Sequence, residues 1–137
     1  MSSFILCDAG VLKLLNVLKG AWGTLKMGTC KASFAPLPTD NLAKYQAIES
    51  DYPGYARQDL LHWQPPVLVE TGTAVSLADV VEFRRTGGGP AQSIYGVFVV
   101  TADGTLLYAQ LDPNGPWPMV DAGSLYAVLP AFRLLEP

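Results

Sequence analysis

The sequence has little of the side-chain chemistry from which enzymes and metal sites are built. It contains one histidine, His62, and two cysteines, Cys7 and Cys30, among 137 residues. A Ser/His/Asp or Cys/His apparatus would have to be built on His62, and a zinc site would lack its usual partners. The two cysteines form no CxxC pattern, which predicts two buried free thiols. We therefore expect no enzyme: no catalytic residue, no metal and no cofactor is predicted.

Charged residues are also scarce, at 15% of the chain against an average of about 25% in soluble domains. The net charge is −3, and the longest basic run is Arg84-Arg85. Nucleic-acid binders carry a basic stripe that neutralises phosphates, so no nucleic-acid partner is expected. No apolar run approaches the roughly 20 residues of a membrane helix, so no membrane partner is expected either. A surface with so few charges is expected to be covered in part by other subunits.

Ligand-binding loop motifs are missing as well. Gly87-Gly88-Gly89 is followed by proline rather than by the lysine of a phosphate-binding loop, and it is typical of a mobile surface loop. The carboxylates are scattered, with neither the spacing of a calcium loop nor a specified pair for glycoside hydrolysis. The sequence is therefore more informative about the fold of this protein than about a chemical activity.

The back half of the chain alternates short apolar runs with Gly, Pro, Asn and Asp. The clearest signal is a hairpin in which Ile94–Val100 and Thr105–Leu111 flank the turn residues Asp103-Gly104. About seven short strands at this spacing favour a mainly β fold, either an antiparallel β-sandwich or a jelly-roll-like barrel. One domain spanning residues 1–137 is expected. The other predicted strands are residues 23–34, 55–63, 67–70, one apolar region formed by 74–78 and 80–83, a short strand and turn at 119–123, and 125–135.

One amphipathic α-helix is predicted near the N-terminus, over residues 8–20. Asp8 is the expected N-cap and Gly20 the expected stop. Its wide apolar face needs a sheet, or failing that a neighbouring subunit, to cover it. A short helical turn capped by Thr39 or Asp40 is expected to follow the first strand. The residues that form the apolar face are Val11, Leu12, Leu14, Leu15, Val17 and Leu18.

A rigid aromatic anchor is predicted between two prolines, in Gly115-Pro116-Trp117-Pro118. Such a ring can serve in a contact with a partner or in packing within the domain, and the sequence leaves both readings open. Interfaces favour Trp and Tyr because ordering them costs little side-chain entropy. The predicted contact residues are Trp117, Met119, Tyr52, Tyr55, Phe4, Ile5 and Leu6.

The order of these segments resembles a family of small structural proteins of tailed bacteriophages. The similarity covers roughly residues 4–135 and runs through several elements in order. The elements that carry it are Phe4 to Gly10, Leu25 to Gly28 and Ala35 to Thr39, then Gly54-Tyr55-Ala56-Arg57 and Trp63, then Ile94-Tyr95-Gly96-Val97-Phe98, Gly104 to Ala109, and Asp121 to Leu125. The loops at Gly87–Pro90 and Pro113–Pro118 depart from the family pattern.

The resemblance implies a part of a phage particle, located in the virion, and supplies no catalytic residues. The first hypothesis is a capsid cement or decoration protein on the capsid surface. Its partners would be the major capsid protein and further copies of itself in a small homo-oligomer, for example a trimer at threefold sites. The alternative is a tail adaptor or a receptor-binding, fibre-like module that uses exposed aromatic rings on carbohydrate.

Overall fold

The computed structural model describes residues 7–21, 23–70 and 73–135, which form two helices and eleven strands. Every strand pairing is antiparallel. The predicted mainly β fold with an N-terminal helix is confirmed, and the sheets have a sandwich-like arrangement. The elements are α1 Asp8–Ala21, β1 Leu25–Cys30, α2 Leu42–Gln46, β2 Gln58–Leu60, β3 Val67–Glu70, β4 Thr73–Leu77, β5 Val81–Arg84, β6 Gln92–Ile94, β7 Gly96–Val100, β8 Leu106–Leu111, β9 Trp117–Met119, β10 Leu125–Val128 and β11 Ala131–Leu135.

The largest sheet has four strands in the order β2-β1-β7-β8. Its β7–β8 hairpin confirms the predicted one, and Gly104 lies at the turn with φ +86°. A positive φ is easy for glycine and strained for other residues, which explains why Asp-Gly is a good hairpin signal. The amide of Gly104 donates to the carbonyl of Thr101 at 3.0 Å and closes the turn.

The predicted continuous strand Ile94–Val100 is divided at Tyr95. Before that residue the chain forms β6, which pairs with β9, and after it the chain forms β7 in the four-stranded sheet. Tyr95 lies between the two strands: its amide donates to the carbonyl of Cys30 at 2.8 Å, and its carbonyl accepts from the amide of Asp112 at 3.0 Å. One apolar segment of the sequence therefore forms strands in two different sheets. The remaining sheets have the orders β11-β4-β3 and β10-β5.

Two core clusters hold the strands together, on opposite faces of β7. The smaller one surrounds Tyr45 of α2, whose ring packs edge-on against Phe34 at 5.2 Å. Both cysteines are free, as predicted, and the thiol of Cys30 is buried in this cluster. The predicted burial is wrong for Cys7, which directly precedes α1 and is exposed. The larger cluster consists of Leu25, Met27, Tyr52, Leu60, Val81, Phe83, Ile94, Val97, Val99, Met119 and Tyr126.

Helix α1 lies on the three-stranded sheet, so a sheet covers part of its apolar face as expected. Val11 and Leu15 are buried against Ala74 of β4, and Leu134 of β11 packs at the margin. At the other end of the helix, Lys19 reaches across the sheet. Its Nζ donates to the carbonyl of Gln64 at 2.9 Å and to Oγ of Ser76 at 2.8 Å. Burial lowers the pKa of Lys19.

The predicted ends of α1 are wrong by about one residue, within the usual uncertainty of helix boundaries. Asp8 is the first helical residue rather than the cap, because the carbonyl of Cys7 accepts the first helical bond, from the amide of Val11. The helix also continues through Gly20 to Ala21. Within the described ranges, no helix is both long enough and apolar enough to cross a membrane.

Helix α2 is capped one residue later than expected. Oδ1 of Asn41 accepts from the amide of Lys44 at 3.4 Å, which is the N-cap pattern. Asp40 instead accepts from the amide of Leu37, from Nζ of Lys44 and from the hydroxyl of Tyr45. The bonds from Lys44 and Tyr45 lower the pKa of Asp40 to about 2.

We predict that Gly96→Ala destabilises the fold by about 1–3 kcal/mol, the usual cost of overpacking a core. An added Cβ would collide with the carbonyl of Gln110 and lie 2.8 Å from Cζ of Phe34. The matched control is Gly20→Ala, whose added Cβ meets nothing within 4 Å and which should be neutral or stabilising by up to about 1 kcal/mol. Urea unfolding of both variants tests this, and equal effects would contradict the close packing at Gly96.

Candidate interaction surface

The surface carries many large apolar side chains that are exposed to solvent. They lie on α1, on β3, on β9 and in several connecting segments. This matches the low charge of the sequence, and such side chains mark contacts with other molecules where they form a contiguous patch. The exposed residues are Leu14, Val17, Leu37, Leu61, Val67, Leu68, Val69, Val80, Trp117, Val120 and Leu129.

Trp117 is both packed within the domain and exposed to solvent. Its backbone pairs with Ile94 of β6, and its indole Nε1 donates to the carbonyl of Leu125 at 3.0 Å. The ring lies 6.4 Å from that of Tyr126, yet 47% of the residue remains exposed. The sequence left open whether Trp117 packs within the domain or is available to a partner, and its position in the structure allows both. Trp117 is an exposed ring whose orientation is already fixed.

A groove of about 320 Å³ runs beside this ring. Its polar part is organised by Asp112, which accepts from the hydroxyl of Tyr126 at 2.7 Å and from the amide of Asn114 at 2.8 Å. Burial and the bond to Asp112 raise the pKa of Tyr126. The groove thus combines a fixed aromatic ring, a carboxylate and the exposed residue Asn114.

Buried Arg85 ties this region to the rest of the fold. Its Nη1 donates to the carbonyl of Met119 at 2.6 Å and to that of Pro90 at 3.0 Å, and its Nε donates to Gly87 at 2.8 Å. The loop Gly87–Pro90, expected to be a mobile surface loop, is exposed, but its carbonyls accept hydrogen bonds from Arg85 that hold it in place. Within the described ranges, Nη2 of Arg85 is buried and makes no hydrogen bond.

Three of the other predicted contact residues point into the fold rather than out of it. Met119 is 0% exposed and Tyr52 is 4% exposed, because both belong to the larger core cluster. Tyr55 is half-buried, and its hydroxyl donates to Oε2 of Glu49 at 2.5 Å and accepts from the amide of Thr29. Met119 and Tyr52 are therefore removed from the set of surface candidates, and Tyr55 offers only part of its ring.

The predicted contacts Phe4, Ile5 and Leu6 lie outside the described residues. Of the predicted set, the structure therefore leaves Trp117 as a well-exposed candidate.

The open edge along β3 is the feature that sequence reasoning missed. This strand lies at the edge of the three-stranded sheet, and all four of its residues, Val67 to Glu70, are exposed. An edge strand presents unpaired backbone N–H and C=O groups, and proteins usually protect such edges with charge or proline. The sequence predicts a strand at Val67–Glu70. A short apolar run without polar alternation is typical of a buried strand, so it gave no signal that this strand is exposed.

His62 is exposed, its Nδ1 hydrogen-bonds Oδ2 of Asp79, and it holds a positive φ of 58°. In the described part of the chain, no group of three or more His, Cys, Asp or Glu residues is placed to bind a metal ion.

Comparison with protein-family models, with curated proteins and with solved structures finds no match to this chain. The candidate interaction surface is therefore described from the contacts and exposure of its own residues.

We predict that Tyr52 does not ionise at the pH of an exposed tyrosine, because burial raises its pKa to about 12. Since the unfolded value is about 10, this group contributes stability below about pH 10 that is lost as the pH rises towards about 12. Tyr52→Phe should therefore lose less stability than the wild type over that range in urea titrations. Its hydroxyl makes no hydrogen bond within the described ranges, so the substitution should cost little at neutral pH.

The control is Trp117→Phe, which should keep the wild-type pH dependence because no titrating group is removed. Ultraviolet absorbance of tyrosinate provides the direct measurement. If Tyr52 titrated near pH 10 in the folded protein, its hydroxyl would be accessible to solvent, and Tyr52 would return to the contact candidates.

Proposed function

We propose that this chain is a structural protein of a tailed-bacteriophage virion, acting as a capsid cement or decoration protein. Its partners are the major capsid protein and other copies of itself, and it has no catalytic role. The observation that carries the proposal is the spread of exposed large apolar residues over a helix, an edge strand and several loops. A protein that bridges several neighbours needs contact surfaces on more than one side. The order of the sequence segments, which resembles that of small phage structural proteins, supports the same role.

The mechanism is stabilisation by binding to the assembled state. A copy that binds across two capsid subunits adds interface area that is lost when they separate, so the free energy of separation rises. Trp117 suits the central anchor of such a contact. Its hydrogen bond to Leu125 fixes the ring before binding, which lowers the entropy cost of ordering it.

We predict that the purified protein binds expanded heads of the phage that encodes it and raises the temperature at which those heads open. Trp117→Ala should weaken binding by about 30-fold or more, as expected for loss of an interfacial tryptophan worth about 2 kcal/mol. Leu37→Ala is the control, since Leu37 is similarly exposed, at 56%, but lies on a different segment. Sedimentation with heads and differential scanning calorimetry provide the two readouts.

No binding to expanded heads by the folded wild type would overturn the cement proposal. Equal weakening by Trp117→Ala and Leu37→Ala would leave general apolar adhesion as the explanation, and Trp117 would not be the anchor.

The groove beside Trp117 favours a second candidate, a tail adaptor or receptor-binding module that holds a sugar. An exposed indole ring can stack on the apolar face of a sugar, while Asp112 and Asn114 line the same groove with hydrogen-bonding groups. Aromatic rings combined with a few convergent polar groups are typical of small-molecule sites. This role uses the same ring for a different ligand.

We predict for this candidate that host surface glycans quench or shift Trp117 fluorescence, and that Asn114→Ala weakens the effect while the fold is retained. Trp63→Phe is the spectroscopic control, since Trp63 packs on Phe132 at 5.2 Å and is half-buried. A glycan array without any response, together with copurification with heads rather than tails, would exclude the sugar-binding role.

A further inference from the structure

The edge of the three-stranded sheet is open along β3. Val67, Leu68 and Val69 are 57%, 39% and 55% exposed, and Glu70 at the end of the strand is exposed as well. Its other edge is occupied by β4, with Val67 opposite Val75 and Leu68 opposite Ala74. The outward edge of the backbone has no strand beside it within the described residues. Such an edge is complementary to another extended strand.

The side chains of β3 suit an aliphatic strand as that partner. Register places Leu68 in one row with Ala74 and Leu134, on the face covered by α1, while Val67 lies on the opposite face beside Val75. A strand added at this edge would continue both rows. Cross-strand aliphatic pairs are favourable, and none of Val67, Leu68 and Val69 carries a charge that would oppose them.

Charge selects the direction of pairing when the added strand is β3 of a second copy. In a parallel pair the two Glu70 carboxylates would be neighbours at about the 4.8 Å strand spacing. In an antiparallel pair they lie at opposite ends of four-residue strands, about 10 Å apart at about 3.4 Å per residue. That separation equals about one Debye length at 0.1 M salt, so repulsion is largely screened.

We propose that two copies of this chain pair through their β3 strands, antiparallel and about a twofold axis, to form one continuous sheet. The order of that sheet is β11-β4-β3 in one copy followed by β3-β4-β11 in the other. One contact covers the open edge of both copies, because a twofold interface uses the same surface on each copy. The proposal rests on the proposed function in that it supplies the contact between copies, and it replaces the threefold arrangement expected from the resemblance.

The exposed part of β3 is small beside the about 800 Å² per partner of a standard interface, so the dimer is expected to be reversible and dependent on concentration. Sedimentation equilibrium of the wild type should show a mixture of monomer and dimer at protein concentrations up to about 1 mM. At that concentration half of the chains are dimeric even if the contact contributes only about 4 kcal/mol. Val69→Lys should shift the population to monomer by at least about tenfold in Kd, since burying a lysine across the pair opposes association.

The matched control is Val80→Lys. Val80 is 58% exposed, close to the 55% of Val69, but it lies between β4 and β5 and not on the open edge. Val67→Lys provides a second β3 variant. Circular dichroism and thermal unfolding check that each variant is folded, as expected for substitutions at exposed positions.

Hydrogen exchange separates strand pairing from apolar adhesion. Backbone amides of residues 67–70 that point away from β4 should become protected as the wild-type concentration rises, and should stay unprotected in Val69→Lys. Four results would overturn the proposal. The wild type could be a monomer at about 1 mM, or it could be a trimer. The dimer could be lost in Val80→Lys but kept in Val69→Lys, or it could form without protection of β3.

The failures of the two proposals are distinguishable. A β3 dimer that does not bind expanded heads leaves the pairing intact and removes the cement role. A chain that binds heads but stays monomeric at about 1 mM keeps the cement role and removes the pairing.

Discussion

Strand β7 is the constraint on which the rest of the fold depends, because it is buried on both faces and along both edges. All five of its residues are buried, and β1 and β8 flank it. Its alternating side chains enter two separate cores: Val97 and Val99 join the larger cluster, whereas Phe98 and Val100 join the smaller one. A shift of β7 by one residue would exchange the two sets, because side chains alternate between faces. The close approach of the backbones at Gly96 further restricts the register.

Buried polar groups fix the connections that apolar packing alone leaves free. Arg85 is 0% exposed and binds three carbonyls, two of them in the Gly87–Pro90 loop and the third on β9. Elsewhere in the fold, Arg57 makes a bidentate pair with Glu49, whose Oε2 also accepts from Tyr55. Such bonds orient long connections at a desolvation cost, so their main effect is on geometry. The bond from Arg85 to Met119 holds the strand that carries Trp117.

The exposed surface divides into regions of different chemistry. Trp117 and its groove offer a fixed ring beside polar groups, which suits a ligand or a protein anchor. Strand β3 offers backbone hydrogen-bonding groups beside aliphatic side chains, which suits another strand. A chain with these two surfaces can contact a different molecule through one and its own copy through the other. This division of the surface supports the proposed role as a component of a particle.

The sequence by itself determined the local elements of this protein. The Asp-Gly hairpin, the helix near residues 8–20 and the strand at Val67–Glu70 follow from turn chemistry and periodicity, which act between near neighbours in the chain. For Trp117 the sequence left contact and internal packing open, and the structure shows a ring that lies 6.4 Å from that of Tyr126 in a residue that is 47% exposed. Only the tertiary structure decided that Tyr95 separates two strands, that Met119 and Tyr52 are core residues, and that β3 is an open edge. These features depend on which distant strands become neighbours, and a local pattern of apolar residues is the same whether or not another strand comes to lie beside it.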